Sequence, residues 1–263
     1  VSIYKYNGEK LEDVALQNNV ISNFFYDDVS DTYYTLIRVF KKRTDGKMQY
    51  PFVRSQRTTP SVIASEGWLF TINAGLGVSA SIPIDGVLIE NGVIKNNNPA
   101  STFTGAIPLT INSNGDLGYA DASATGEQLL AQGYKNVVCG FFPIIEDYEN
   151  FAYPTDIPGT DTQAWQTAQR QIVGQFGNGD YGFLTCNGRG YDNSSGWSMQ
   201  QAQAICKKHN LKFAYNLDGG GSTATMIGTK RLNVLYDSGG TVERTIPSFI
   251  VFNGTDTFNV PNQ

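Results

Sequence analysis

The sequence predicts an α+β fold: a single domain with a β-rich mixed sheet core and a few flanking helices. Three observations lead there. Runs of aromatic and β-branched residues recur along the whole 263-residue chain. Asn-Gly and Asp-Gly turn signals separate them. Only a few stretches carry helix caps. Residues 1–54 are expected as strands contiguous with the core and residues 55–263 as the rest of one globular unit.

The elements follow in order. Residues 33–40 (YYTLIRVF) carry the aromatic and β-branched residues of a strand. Thr59-Pro60, followed by Val62 and Ile63, suggests a short helix with proline in its first turn. Residues 68–73 read as a strand, and 86–94 as a hairpin turning at Asn91-Gly92. Thr125-Gly126-Glu127-Gln128 is a capping box before Leu129 and Leu130, because the threonine and glutamine side chains can each bond the other's backbone amide. Residues 136–138, 181–186, 211–217 and 247–253 are further strands, and 161–170 is expected as a weak helix. Ser198-Met199-Gln200-Gln201 is a second capping box. It opens a helix with Met199, Ala202, Ile205 and Cys206 on one apolar stripe and Lys207-Lys208 at its negative end. Residues 146–161 are loop-rich, but the strand patterns on both sides suit one shared sheet.

Composition excludes several functions. The formal charge is −5 and the pI about 4.9, so a basic nucleic-acid face is not expected. No run reaches the ~18–20 apolar residues of a membrane span. Cys139, Cys186 and Cys206 form neither a disulfide framework nor a zinc pattern. His209, the one histidine, reads as a residue at an exposed helix end. A low charged content of 16%, with polar and tyrosine-rich surfaces, suits an extracellular, cell-surface or virion protein.

The run Asn216-Leu217-Asp218-Gly219-Gly220-Gly221-Ser222-Thr223 carries the chemistry. Three glycines after a strand contribute no packing and lose much backbone entropy. They are explained by close backbone approach or by an anion-binding nest of amides. The run is neither a dinucleotide fingerprint nor a P-loop. Asp218 sets a carboxylate at the strand end, and Ser222, Thr223 and Thr225 add hydroxyls.

This run resembles the signature of the phosphodiester glycosidases. Weaker segments agree in order: Phe70-Thr71-Ile72-Asn73-Ala74-Gly75, residues 86–94, Arg170-Gln171-Ile172-Val173-Gly174, Asn187-Gly188-Arg189 with Gly196-Trp197-Ser198-Met199, and Glu243-Arg244-Thr245-Ile246-Pro247-Ser248. Two departures stand out: Ala74-Gly75-Leu76-Gly77 replaces the family's paired glycines and aromatics, and Asn187 replaces an aspartate. The resemblance implies a hydrolase that cleaves the bond between a sugar's anomeric carbon and a phosphodiester. It assigns Asp218, Arg189 and Arg244 to catalysis. It assigns Asn73, Gly75, Arg170, Gly219, Gly220, Gly221, Ser222 and Thr223 to substrate binding. A carboxylate suits an oxocarbenium-like transition state, and arginines suit bidentate phosphate contacts.

Each residue also has a plainer reading. The arginines can be surface or sheet-edge residues, and Asn73 can cap a turn. Asp85 starts a turn, with a second acid or a metal ligand as the alternative. Trp68, Phe141, Phe142 and Trp197 are core candidates, though Trp197 can also stack on a sugar. No cofactor is required. Carboxylates and carbonyls near the glycines are of a type that holds calcium, without EF-hand spacing. The expected partner is a sugar-phosphate or polysaccharide such as a teichoic-acid-like polymer, with assembly into a larger phage-tail or surface protein as a further expectation. A binding module without turnover and a purely structural domain are the alternatives.

Overall fold

The computed structural model describes residues 3–4, 10–11, 20–43, 45–77, 83–100, 105–152 and 166–252. Three larger sheets carry the chain, beside a ribbon that pairs β1 (Ile3–Tyr4) with β2 (Lys10–Leu11). One edge of the seven-stranded sheet is β3 (Val20–Asp27), next to β4 (Thr32–Val39). Beyond β4 lie β15 (Tyr181–Cys186), β14 (Arg170–Phe176), β16 (Leu211–Asn216), β12 (Phe142–Glu146) and β13 (Glu149–Asn150). A five-stranded sheet runs β18 (Lys230–Arg231), β17 (Thr225–Ile227), β6 (Phe70–Asn73), β19 (Ile246–Phe252), β5 (Pro51–Thr58). The other runs β10 (Leu117–Tyr119), β9 (Leu109–Ile111), β11 (Asn136–Val138), β7 (Leu88–Glu90), β8 (Val93–Asn96).

The α+β class holds, but among the described residues every paired strand runs antiparallel, where a mixed sheet was expected. The physical reason is the scarcity of helices. A parallel pair needs a long crossover, and this chain mostly returns by turns or by crossing between sheets. At Asn91 and Gly92 both φ angles are positive, 46° and 82°, as the Asn-Gly hairpin requires.

The layers follow from strand alternation. Val173, Phe183 and Tyr215 of the seven-stranded sheet pack against Phe70, Ile72, Ile250 and Phe252 of a five-stranded one. On the outer face of the large sheet lies α3 (Met199–Lys208), its Met199, Ala202, Ile205 and Cys206 stripe buried against Ile172 and Leu184. Its cap is the expected one: Gln201 N donates to Ser198 Oγ at 3.3 Å, and Ser198 N to Gln201 Oε1 at 2.8 Å. Two short helices, α1 (Pro60–Ala64) and α2 (Gly126–Ala131), cover the outer faces of the smaller sheets through Ile63 and Leu129.

The helix expected over 161–170 is not there in its described part: residues 166–169 are not helical and Arg170 opens β14. Its first five residues lie outside the described residues, as do residues 153–161 of the loop-rich stretch and Asn253. The strands on either side of that stretch, β12 and β14, do share one sheet, with β16 between them. The division at 54/55 falls inside β5, which pairs with β19 near the chain's other end.

Candidate active site

Strand β16 delivers the glycine run. Leu217 N still donates to Gln171 O at 2.8 Å, within the seven-stranded sheet. Asp218 N already donates to Ala74 O of the other layer, at 3.2 Å. After a 3-10 turn at Gly220–Ser222 the chain enters β17 in that second layer. The run is therefore the crossing from one layer to the other.

Its glycines have three separate reasons. A Cβ on Gly219 would sit 2.6 Å from the Gln169 carbonyl oxygen. Gly220 has φ +57°, in the left-handed region. A Cβ on Gly221 would run into the Arg244 guanidinium. The amides are less free than a nest requires. Gly219 N donates to Asp218 Oδ1 at 2.9 Å and Gly220 N to Gln169 O at 3.1 Å. Of the three, Gly221 is left to offer its amide to an anion.

Charged side chains gather on this turn. Asp218 accepts hydrogen bonds from Ser222 and from the Gly219 amide and feels Arg244, yet burial outweighs these and pushes its carboxyl up to about 6. Arg244 lies across Gly221. Its Nε and one terminal nitrogen each donate to Asp237 at 2.7 Å, and its other terminal nitrogen reaches Ser222 Oγ at 3.4 Å. Both Arg189 terminal nitrogens lie within 3.9 Å of the point where a Gly220 Cβ would be. The Arg189 guanidinium covers the Tyr236 ring at 5.4 Å, and Tyr236 packs against Tyr191 with centroids 4.7 Å apart. Asp218, Arg189 and Arg244 thus surround one turn.

The remaining sequence candidates are placed differently. Asn73 is buried beneath the run: its Nδ2 donates to Asp218 O at 2.6 Å and its Oδ1 accepts from Ala224 N at 2.9 Å. It braces both ends of the run. Gly75 is a packing glycine, with its N–H bonded to Ser248 Oγ at 3.0 Å and no room for a Cβ. Arg170 is buried and donates to the carbonyls of Trp197 and Gln166, so its guanidinium serves the fold at the first residue of the central strand β14. Ser222 and Thr223 are buried in the run itself. Asp85 is buried, its N–H donating to Leu76 O at 2.9 Å. Among the described residues, no group of three or more His, Cys, Asp or Glu could hold a metal ion.

Trp197 is fully buried, its Nε1 donating to Ser30 Oγ at 3.1 Å, which places it in the core. His209 is not merely at an exposed helix end. It caps α3 half-buried, Nε2 2.9 Å from the Tyr34 hydroxyl, and burial lowers its pKa. Burial pushes the Cys139 and Cys186 thiols up to about 12, so they are poor nucleophiles.

Sequence reasoning missed Asp237, Tyr236 and Tyr191. Asp237 was visible only as part of a turn, and nothing local marks it as Arg244's partner.

Known proteins are similar in sequence and in fold. The chain is 23% identical over 219 residues to the SPbeta prophage-derived uncharacterized protein YomE of Bacillus subtilis (strain 168). That match covers 82% of this chain but 33% of the relative, so the chain spans about a third of its length. In fold it is similar to the zebrafish N-acetylglucosamine-1-phosphodiester alpha-N-acetylglucosaminidase catalytic domain auto-inhibited by pro-peptide. The TM-score is 0.73 at 15% identity, covering 97% of this chain and 87% of that one. A hypothetical protein from Synechocystis shares the fold at TM-score 0.61 and 12% identity, over 90% of this chain and 62% of that one. The family model for phosphodiester glycosidases matches residues 62–253, which include the whole glycine turn and its three charged neighbours, and the chain belongs to that family.

Proposed function

We propose that this chain hydrolyses the glycosidic bond of a sugar-1-phosphodiester, with Asp218 as the essential carboxylate and Arg244 and Arg189 as phosphate ligands. The observation that carries the reading is the convergence of one raised carboxyl and two guanidinium groups on the Gly219–Gly221 turn. The bond between the anomeric carbon and the phosphate oxygen breaks. Phosphate leaves as a monoester, and water supplies the new anomeric hydroxyl. Such a leaving group is weakly basic, so one carboxylate suffices where most glycosidases need a separate acid. Asp218 stabilises the positive charge at the anomeric carbon or takes the proton from water. With Nε and one terminal nitrogen held by Asp237, Arg244 keeps its remaining terminal nitrogen for a phosphate oxygen near Ser222. Asp237 thereby sets the guanidinium plane.

A teichoic-acid-like or polysaccharide phosphodiester at a cell surface is the proposed natural substrate, and a phage or other extracellular setting fits the prophage-derived relative. Binding without cleavage is the second reading. It draws on the Gly219 and Gly220 amides being used internally, which leaves few donors for developing charge.

The test is sugar release from UDP-N-acetylglucosamine and a panel of sugar phosphodiesters. Asp218→Asn is expected to lose at least about a hundredfold in kcat/KM. No release by the wild-type protein from any member refutes the hydrolase. Equal rates for the two proteins remove Asp218 from its role.

A further inference from the structure

The face of the seven-stranded sheet that meets the second layer does not stay covered to its end. On β4 that face carries Val39, Ile37, Thr35 and Tyr33, and on β3 their paired neighbours Val20, Ser22, Phe24 and Tyr26. Tyr34 and Leu36, which alternate with them, pack with α3 on the other side. Exposure grows along the inner face of β3. Val20 and Ser22 are buried, Phe24 is half-buried, and Tyr26 is 50% exposed. On β4, Thr35 is still buried and Tyr33 is half-buried. Phe24, Tyr33 and Tyr26 therefore form a strip of rings that emerges from under the second layer.

It emerges at the end of the sheet where the glycine turn lies. Thr35 pairs with Thr185 of β15, whose hydroxyl is bonded to that of Thr225, two residues past Thr223 of the turn. The loop that carries Arg189 is laid on the β3–β4 hairpin. Asn187 N donates to Tyr33 O at 3.3 Å, Tyr33 N to Ser194 Oγ at 3.0 Å, and Ser195 N to Asp31 O at 2.9 Å. Ser195 O in turn accepts from Arg189 N at 3.0 Å. Tyr33 is the middle ring of the strip, with centroids 5.5 Å from Phe24 and 4.9 Å from Tyr26. The Tyr26 hydroxyl donates to Asp31 Oδ1 at 2.7 Å, so its ring is ordered before a ligand arrives. Cross-strand aromatic pairs stabilise a sheet by themselves, but that role does not require a ring left half in water. The exposed charges at the hairpin tip are Asp28 and Asp31, which disfavour an anion there. A neutral pyranose suits the strip: its C–H face stacks on an aromatic ring, and its hydroxyls reach the tyrosine and aspartate oxygens.

We propose that Phe24, Tyr33 and Tyr26 form a subsite for neutral sugar rings of an oligosaccharide carried by the substrate, next to the phosphodiester held at Arg189 and Arg244. The proposal rests on the sugar-phosphodiester reading and adds a glycan portion to the substrate. The hairpin lies outside residues 62–253, so the subsite is a feature of this chain beyond the family match.

The experiment is calorimetric titration of the full chain with maltohexaose, cellohexaose, chitohexaose and mannohexaose and with the methyl glycosides of their sugars. Wild type is compared with Tyr26→Ala, Phe24→Ala and Tyr26→Phe. Melting temperatures and sugar release from UDP-N-acetylglucosamine, which carries one pyranose, are recorded alongside. At least one hexasaccharide is expected to bind more tightly than its methyl glycoside. Each alanine variant should weaken it about three- to tenfold, and Tyr26→Phe, which keeps the ring, should retain it. The Tyr26→Ala melting temperature should hold, because the ring is half exposed. Absence of binding by every hexasaccharide overturns the proposal, as does equal affinity of wild type and both alanine variants. A loss in Tyr26→Phe as large as in Tyr26→Ala overturns stacking, since the hydroxyl alone then matters. Weaker binding in the alanine variants with an equal loss of UDP-N-acetylglucosamine cleavage and a fallen melting temperature marks damage to the fold and overturns it as well. If a hexasaccharide binds through the strip but no phosphodiester is cleaved, the hydrolase reading fails and the subsite stands. If phosphodiesters are cleaved and no hexasaccharide binds, the hydrolase stands and the subsite falls.

Discussion

Asp218 sets its proposed chemistry against stability. Its carboxyl is raised by burial, so the folded protein holds the proton more tightly than the unfolded chain does. The stabilising contribution of the neutral form is complete below the ordinary carboxylate range near 4 and is lost as pH rises through about 6. Asp218→Asn is therefore expected to melt at a higher temperature than wild type at pH 8, by the equivalent of about 1–2 kcal/mol after solvent screening. The two should be alike at pH 4. A lower melting temperature for the variant at pH 8 would contradict this. Because the proposed role needs the ionised form, kcat/KM should climb through an apparent pKa near 6, and a profile falling over that range would make Asp218 an acid instead. At Arg244, the two bonds to Asp237 demand a planar fork. Arg244→Lys keeps the charge and loses the fork, so kcat/KM should drop roughly ten- to a hundredfold with little change in melting temperature.

At the scale of the element, the glycine turn separates two effects that sequence alone merges. Gly219 lies against backbone, and Gly221 against the end of a flexible side chain. Gly219→Ala must push β14 and the turn apart and should cost about 1–3 kcal/mol of stability. Gly221→Ala meets only the ends of the Arg244 and Asp237 side chains, so by moving that pair it should fold nearly as well as wild type and lose activity. Paired denaturation and kinetic measurements on both variants check the contrast, and equal stability losses would show that the two glycines are equivalent. The capping boxes and the Asn91-Gly92 turn were legible beforehand because each is decided within a few residues by local hydrogen bonds and φ angles. Strand β14 was not, because it opens on polar Arg170 and Gln171, which mark a buried strand only once other chain segments enclose them.

Across the whole molecule, the site exists because two layers meet. Asp218 leaves the seven-stranded sheet, Asn73 holds the run from the second layer, and Arg189 and Arg244 arrive on loops. Asn73→Ala removes both bonds of that brace and leaves the Asp218 carbonyl and the Ala224 amide unpaired. A loss of about 2–4 kcal/mol in unfolding free energy is expected, together with reduced turnover. A variant of full stability and activity would show that the layers need no such tie.

The sequence by itself determined the α+β class, most strands, the helix caps and the identity of the glycine run, because periodicity, propensity and turn chemistry act over a few residues. It could not rank Arg170, Arg189 and Arg244, which are the same residue in similarly short motifs. Packing buried the first against backbone carbonyls and left the other two at the turn. Only the tertiary structure decided that Asp237 orients Arg244 and that the Gly219 and Gly220 amides are used internally. Each of these depends on contacts between chain segments far apart in sequence, and no local pattern encodes their distance or burial.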